Sequence, residues 1–186
     1  MNLPDLRSLT KFDARLREIP TDVDALRAAI NQALSELDKA EASQHLDATV
    51  GLLGYLGNAC RIIGLTTEAI DYLERAVFRC RMLGDRKGEL VNTIRLAEAR
   101  KYNGDYQIAE RLLRVALTWT DEEVLSNYKD FVLQHLGKCR LEQGAPEDAV
   151  QLLQEALKLR LEKGDKTLIE STEQALTLAR NMCHGA

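Results

Sequence analysis

Glycine and alanine recur five residues apart at a constant 40-residue step, at Gly64 and Ala69, Gly104 and Ala109, and Gly144 and Ala149. Leu73, Leu113 and Leu153 follow at that step, as do Ala76, Ala116 and Ala156, while Leu56, Leu96, Leu136 and Leu176 mark it on the other side. A period of this length is the mark of an array of like units, each too small to bury its apolar face alone and each completed by a neighbour. The chain reads as three copies followed by a fourth, half copy.

The spacing inside a copy has a physical reading. Each glycine falls where one apolar period ends and another begins, which predicts a left-handed residue closing a helix. Thr66 or Thr67, Asp105, and Pro146 with Glu147 and Asp148 then stand at the next helix start, where capping oxygens, a pre-set φ and negative charge are favoured. Ala, Leu and Ala at the following steps line one helical face, the small alanines admitting a close neighbour. Ala, Leu, Glu, Lys and Arg make up half of the chain and only three residues are proline, so helices are expected nearly throughout. Paired helices are predicted near 46–63 and 66–83, 86–103 and 106–119, and 121–143 and 146–163, giving repeats 46–83, 86–119 and 121–163. A capping helix follows at 166–182, with a tail at 183–186. Residues 1–45 form an N-terminal helical extension or cap. In it Thr21-Asp22 starts a helix to about Ala42, and Leu3, Leu6, Leu9, Phe12, Leu16 and Ile19 make an apolar stripe ended by Pro20.

The run Leu56-Gly57-Asn58-Ala59 with Gly64, Ala69, Leu73 and Ala76, and the run Leu136-Gly137-Lys138-Cys139 with Gly144, Ala149, Leu153 and Ala156, resemble the tetratricopeptide repeat (TPR). The middle copy carries Ala97 where its neighbours carry glycine. The period exceeds the commoner 34 residues of the family and is similar to that of its long-repeat members, kinesin light chains among them. The resemblance implies an all-α fold, a TPR-like right-handed α-solenoid of helical hairpins with an N-terminal helical extension and a C-terminal capping helix.

It also implies a concave groove, lined by the first helix of each pair, that holds a partner's peptide or helical segment. Carried onto this chain, the groove positions are Gly51, Gly54, Asn58 and Arg61 in the first copy. The second supplies Val91, Ile94, Arg95, Glu98, Lys101 and Tyr102, and the third Phe131, Gln134, His135, Lys138 and Leu141. Asn58 has both a donor and an acceptor for a peptide backbone. Arg61, Arg95, Lys101 and Lys138 favour an acidic segment. Gly51 and Gly54, three apart on α-helical spacing, leave room for a bound segment or for the chain's own N-terminal helix, whereas Gly57 faces the paired helix. Only Asn58 matches the clamp of chaperone-binding relatives, so a terminal Glu-Glu-Val-Asp tail is not the expected ligand. The N-terminal stripe is read first as a cap on the array, then as a self-inhibitory or homodimer-forming helix, and last as a membrane contact. Two alternatives to partner binding stand beside it: homo-oligomeric assembly with a self-occupied groove, and a secretion-type TPR chaperone.

The remaining features narrow the function. With 25 basic and 29 acidic side chains the chain repels a phosphate backbone, so nucleic acid is not an expected partner. No apolar stretch reaches membrane-spanning length, and the start lacks a secretory pattern, which points to a cytoplasmic protein. Cys60, Cys80, Cys139 and Cys183 are widely spaced without a Cys-x-x-Cys pair, so buried thiols are expected rather than a metal or redox centre. His45, His135 and His184 make no ligand pair, and Gly51-Leu-Leu-Gly54-Tyr-Leu-Gly57 lacks the spacing of a phosphate-binding loop. No catalytic residues, no metal and no cofactor are expected.

Overall fold

The computed structural model describes residues 3–184, and its elements are nearly all helical. Gly185 and Ala186 of the expected tail, and Met1 and Asn2 of the extension, lie outside the described residues. The helices are α1 (Val23–Ala42), α2 (Leu46–Ile63), α3 (Thr66–Leu83), α4 (Arg86–Tyr102), α5 (Tyr106–Trp119), α6 (Lys129–Glu142), α7 (Pro146–Lys163) and α8 (Lys166–His184). Two compact units divide the chain, residues 1–103 and 104–186, the division falling inside the second expected repeat.

The boundaries follow from the residues at them. Gly64, Gly84, Gly104, Gly144 and Gly164 all have φ between 70° and 91°, the left-handed conformation that the repeat spacing calls for. Asp22 caps α1, its carboxylate accepting from the Asp24 and Ala25 amides at 2.9 and 3.0 Å. Pro146 occupies the first turn of α7, where its missing N–H costs nothing.

Two expectations need correction. The apolar stripe of residues 3–19 is not a helix. Leu6–Leu9 makes one 3₁₀ turn, and Thr10–Phe12 (β1) pairs antiparallel with Glu18–Pro20 (β2), Lys11 opposite Ile19. Asp13 closes this hairpin, its carboxylate accepting from the amides of Arg15 and Arg17, both at 2.8 Å. Leu16 takes φ 58° in the same turn. Of the stripe only Leu6 is fully buried, and Phe12 is exposed. The second correction is at 121–143, where Glu123–Tyr128 is a 3₁₀ stretch and the α-helix begins only at Lys129. The last helix also runs on through His184, taking in half of the expected tail.

In the first unit α1 packs on α2, α2 on α3, and α4 on both α2 and α3. In the second, α6 packs on α5 and α7, and α7 on α8. The core of each is Leu and Ala at the repeat positions: Leu56, Ala69, Leu73 and Ala76 have no exposure, nor have Leu136, Ala149, Leu153 and Ala156. Within both hairpins a leucine interlocks with a glycine. A Cβ on Gly57 would lie 2.3 Å from Leu73 Cγ, and one on Gly137 would lie 2.7 Å from Leu153 Cγ. A Cβ on Gly51 meets nothing within 4 Å. Gly57→Ala is therefore expected to destabilise the chain by about 1–3 kcal/mol through overpacking. Gly51→Ala is expected to stabilise it by up to about 1 kcal/mol, as Ala replaces Gly in an open helical position. Urea unfolding of the two variants reads the opposite signs.

Candidate functional site

The face made by α2 and α4 carries most of the expected groove residues, and the structure shows what they touch. Arg61 is only 3% exposed. Its Nη2 donates to Asn58 Oδ1 at 2.6 Å and to the Glu18 carboxylate in a tight ion pair, and its Nε also donates to Asn58 at 3.3 Å. Its Nη1 is buried with no hydrogen-bond partner among the described residues. Two guanidinium groups lie over the Tyr102 ring, Arg61 at 4.7 Å and Arg17 at 4.8 Å from its centroid. The Glu18 backbone N–H donates to the Tyr102 hydroxyl at 2.6 Å. Strand β2 is thus tied to α2 by a side-chain charge and to α4 by a backbone amide, while Tyr55 of α2 donates to the Pro4 carbonyl at 3.1 Å at the other end of the segment.

The electrostatics fit a buried cation built to meet a carboxylate. Burial alone pulls the Arg61 pKa down, but Glu18, Tyr102 and Glu98 reverse that and hold it above the ordinary arginine value. Burial, with Glu98 and Glu18 nearby, raises the Tyr102 phenol and outweighs the pull of Arg61, so the ring stays neutral. Arg95 is lowered by burial and by Arg61 beside it. Its Nη1 donates to Asn92 at 3.4 Å. Glu98 and Lys101 form their own buried ion pair at 2.9 Å.

Several expected groove residues are accordingly turned to other work. Gly54 is not open: a Cβ there would sit 2.6 Å from Asn92 Oδ1 and 3.0 Å from Arg95 Nη1, so it is where α4 side chains approach α2. Gly51 is exposed, Val91 half-buried and Ile94 buried. Asn58 uses its oxygen on Arg61. Glu18 and Arg17 complete the cluster and escaped the sequence reading, because nothing in a helical spacing pattern marks a residue that acts from a β-strand.

The second unit holds the third-copy positions separately. Phe131 is half-buried under Arg160 and Lys163, whose charged ends lie 5.3 and 5.8 Å from the ring centroid. Gln134, Lys138 and Leu141 are buried and His135 half-buried, and Gln134 Oε1 has no hydrogen-bond partner among the described residues. Asp130, fully buried, binds Arg160 Nε at 2.9 Å and also Lys163, and Arg160 reaches Thr172 Oγ1 at 2.7 Å. That network ties α6, α7 and α8 together. A second, more exposed network joins Glu110, Arg140, Asp148 and Gln143. Burial raises the Glu110 pKa, but Gln143, Arg114 and Arg140 together lower it below its ordinary value.

Among the described residues no group of three or more His, Cys, Asp or Glu is placed to hold a metal ion, and no helix is long and apolar enough to cross a membrane. Cys60, Cys80 and Cys139 are buried free thiols. Burial, with Glu68 nearby, pushes the Cys60 pKa up to about 11.

No family model matches this sequence, and no curated protein matches it. Solved structures do. One is a substituted form of a Podosopora anserina kinesin-light-chain protein of nearly identical TPR-like repeats. It superposes with a TM-score of 0.69 at 18% identity, over 87% of this chain and 80% of that one. Another crystal structure of those repeats gives 0.59 at 16% identity, over 89% and 90%. The fold is all-α and TPR-like.

Two outcomes are expected. Glu18→Ala strands the buried Arg61 guanidinium and should cost about 1–3 kcal/mol, of which Arg61→Met in the same chain restores a part, as a cycle of urea unfolding experiments will show. Iodoacetamide at pH 8 should label the half-buried Cys183 well before Cys60, whose thiolate fraction there is about a thousandth, read by peptide mass analysis.

Proposed function

We propose that this chain is a non-catalytic, cytoplasmic protein-interaction module that binds an extended acidic segment of a partner on the α2–α4 face at Arg61. A TPR-like repeat fold is a scaffold for protein interaction in general, and the finer reading rests on one observation: the Glu18 carboxylate on Arg61, with the Glu18 amide on Tyr102. The chain's own β2 supplies the template. A bound segment needs an extended backbone, a carboxylate for the buried guanidinium and one free N–H for the tyrosine hydroxyl. Asn58 orients the guanidinium rather than meeting the peptide itself. Arg95, half-buried on the same face, adds positive charge beside the site.

Competition between partner and β2 sets the affinity. Whatever free energy seats Glu18 must be matched before a second segment enters, so an intact hairpin lowers apparent affinity in proportion to the time it is bound. The test uses a fluorescent peptide of residues 13–22 of this chain, titrated by anisotropy into the full-length protein. Glu18→Lys in the protein places like charge against Arg61 and opens the site, and should tighten binding at least about ten-fold over wild type. Adding Arg61→Met should abolish that gain, and a peptide carrying Gln at position 18 should bind more weakly. Equal binding to the Glu18→Lys protein with and without Arg61→Met, or no binding to either, would move the site off this face.

A further inference from the structure

On α3, away from Arg61 and its partners, the first unit leaves a second surface without a covering element. Phe78 is 62% exposed and Met82 72%, and Leu46 and Leu83 beside them are also exposed. With Asp71, Glu74, Arg75 and Arg79 they line a surface cleft of about 560 Å³. The repeat supplies its own control. One and two steps along the chain, on α5 and α7, the position of Phe78 is held by Thr118 and Lys158. On α7 the positions of Met82 and Leu83 are held by Glu162 and Lys163. The hairpin does not need apolar residues at these places, and large exposed patches on one helix face mark contact sites.

The charges on the patch choose the occupant. Asp71, Glu74, Arg75 and Arg79 balance, so neither an acidic nor a basic peptide gains from the whole set. A second copy of the same patch gains from all of it. Residues 71, 74, 75, 78, 79 and 82 share one stripe of α3 by three- and four-residue spacing. Two α3 helices laid antiparallel about an axis between Arg75 and Phe78 put Glu74 opposite the second copy's Arg79, and Arg75 opposite its Phe78. That is an ion pair and a cation–aromatic contact, each made twice, with Met82 beside Asp71 at either end. The arginines already have their heads at the rim, Arg75 and Arg79 both bonded to Glu41 at 3.1 Å, and Arg100 holds Glu74 at 2.6 Å. We infer that the α3 face, centred on Phe78 and Met82, is a two-fold interface with a second copy of this chain, independent of the Arg61 site.

Sedimentation equilibrium of the full chain at micromolar concentration tests this. Wild type should be a dimer. Phe78→Lys with Met82→Glu should raise the dissociation constant at least about ten-fold. Both are exposed, and an unchanged far-ultraviolet dichroism spectrum and melting temperature show that the monomer is intact. Leu161→Lys, an exposed apolar residue in the other unit, should leave the dimer as it was. Glu74→Arg and Arg79→Glu should each weaken it by like charge, and the two together should restore it, which only the two-fold pairing predicts. A monomeric wild type overturns the inference. So does a dimer indifferent to Phe78 and Met82, one equally lost in Leu161→Lys, or a double charge reversal weaker than both single ones.

Discussion

A leucine seated where a glycine has no side chain is the contact on which the hairpins depend. Leu73 fills the space above Gly57, and Leu153 that above Gly137, two repeat steps along. With no Cβ between them the paired helices approach closely enough for Ala69 and Ala76, or Ala149 and Ala156, to be wholly buried. Close approach of this kind gives up the roughly 1 kcal/mol that each helical glycine costs, and the dispersion and burial of a fully enclosed leucine exceed it. The left-handed glycines at the helix ends then return the chain so that the same two faces meet.

This packing rests on small residues and leucine at the repeat positions, and the α2–α4 face carries charge. Arg61 is the charge of greatest cost. A guanidinium removed from water must be met by charge and hydrogen bonds, and Glu18 and Asn58 do so on one edge while Nη1 has no hydrogen-bond partner among the described residues. In the second unit Asp130 is buried to the same degree but is met on both sides, by Arg160 and Lys163, and Arg160 is itself held by Thr172 and the Leu168 carbonyl. The two clusters differ in kind. Asp130 is closed by helices that cannot leave without unfolding, whereas Arg61 is closed by a two-stranded hairpin, and a two-stranded hairpin is marginal alone.

Helix positions were legible in the sequence because they are set locally. Gly64, Gly84 and Gly164 end helices by a backbone conformation that other residues resist, and Asp22 and Pro146 begin them by chemistry confined to one turn. The N-terminal stripe failed for the opposite reason. Leu3, Leu6, Leu9, Phe12, Leu16 and Ile19 have helical spacing, but Asp13 offers its carboxylate to two amides ahead of it and turns the chain back before a helix can grow. Likewise the stretch after Trp119 lacks a glycine to close one helix, and Glu123–Tyr128 winds as 3₁₀ before α6 starts. At the site, the resemblance to the tetratricopeptide repeat pointed to Arg61, Arg95 and Tyr102, yet could not find Glu18, since pairing across 43 residues is decided by tertiary packing.

The differences among copies carry information only where packing is silent. At the buried positions packing constrains any change: Ala97 in the middle copy stands where glycine accommodates Leu73 and Leu153 in the others, and it too is unexposed. Such a change speaks of fit, not of function. At an exposed position nothing inside the unit answers it. Phe78 in place of the Lys158 type gains the isolated chain little burial, since most of the residue stays in water, and it carries the hazard of a sticky surface. The stability of one molecule gives little reason for the residue, whereas a two-fold contact at the α3 face gives one.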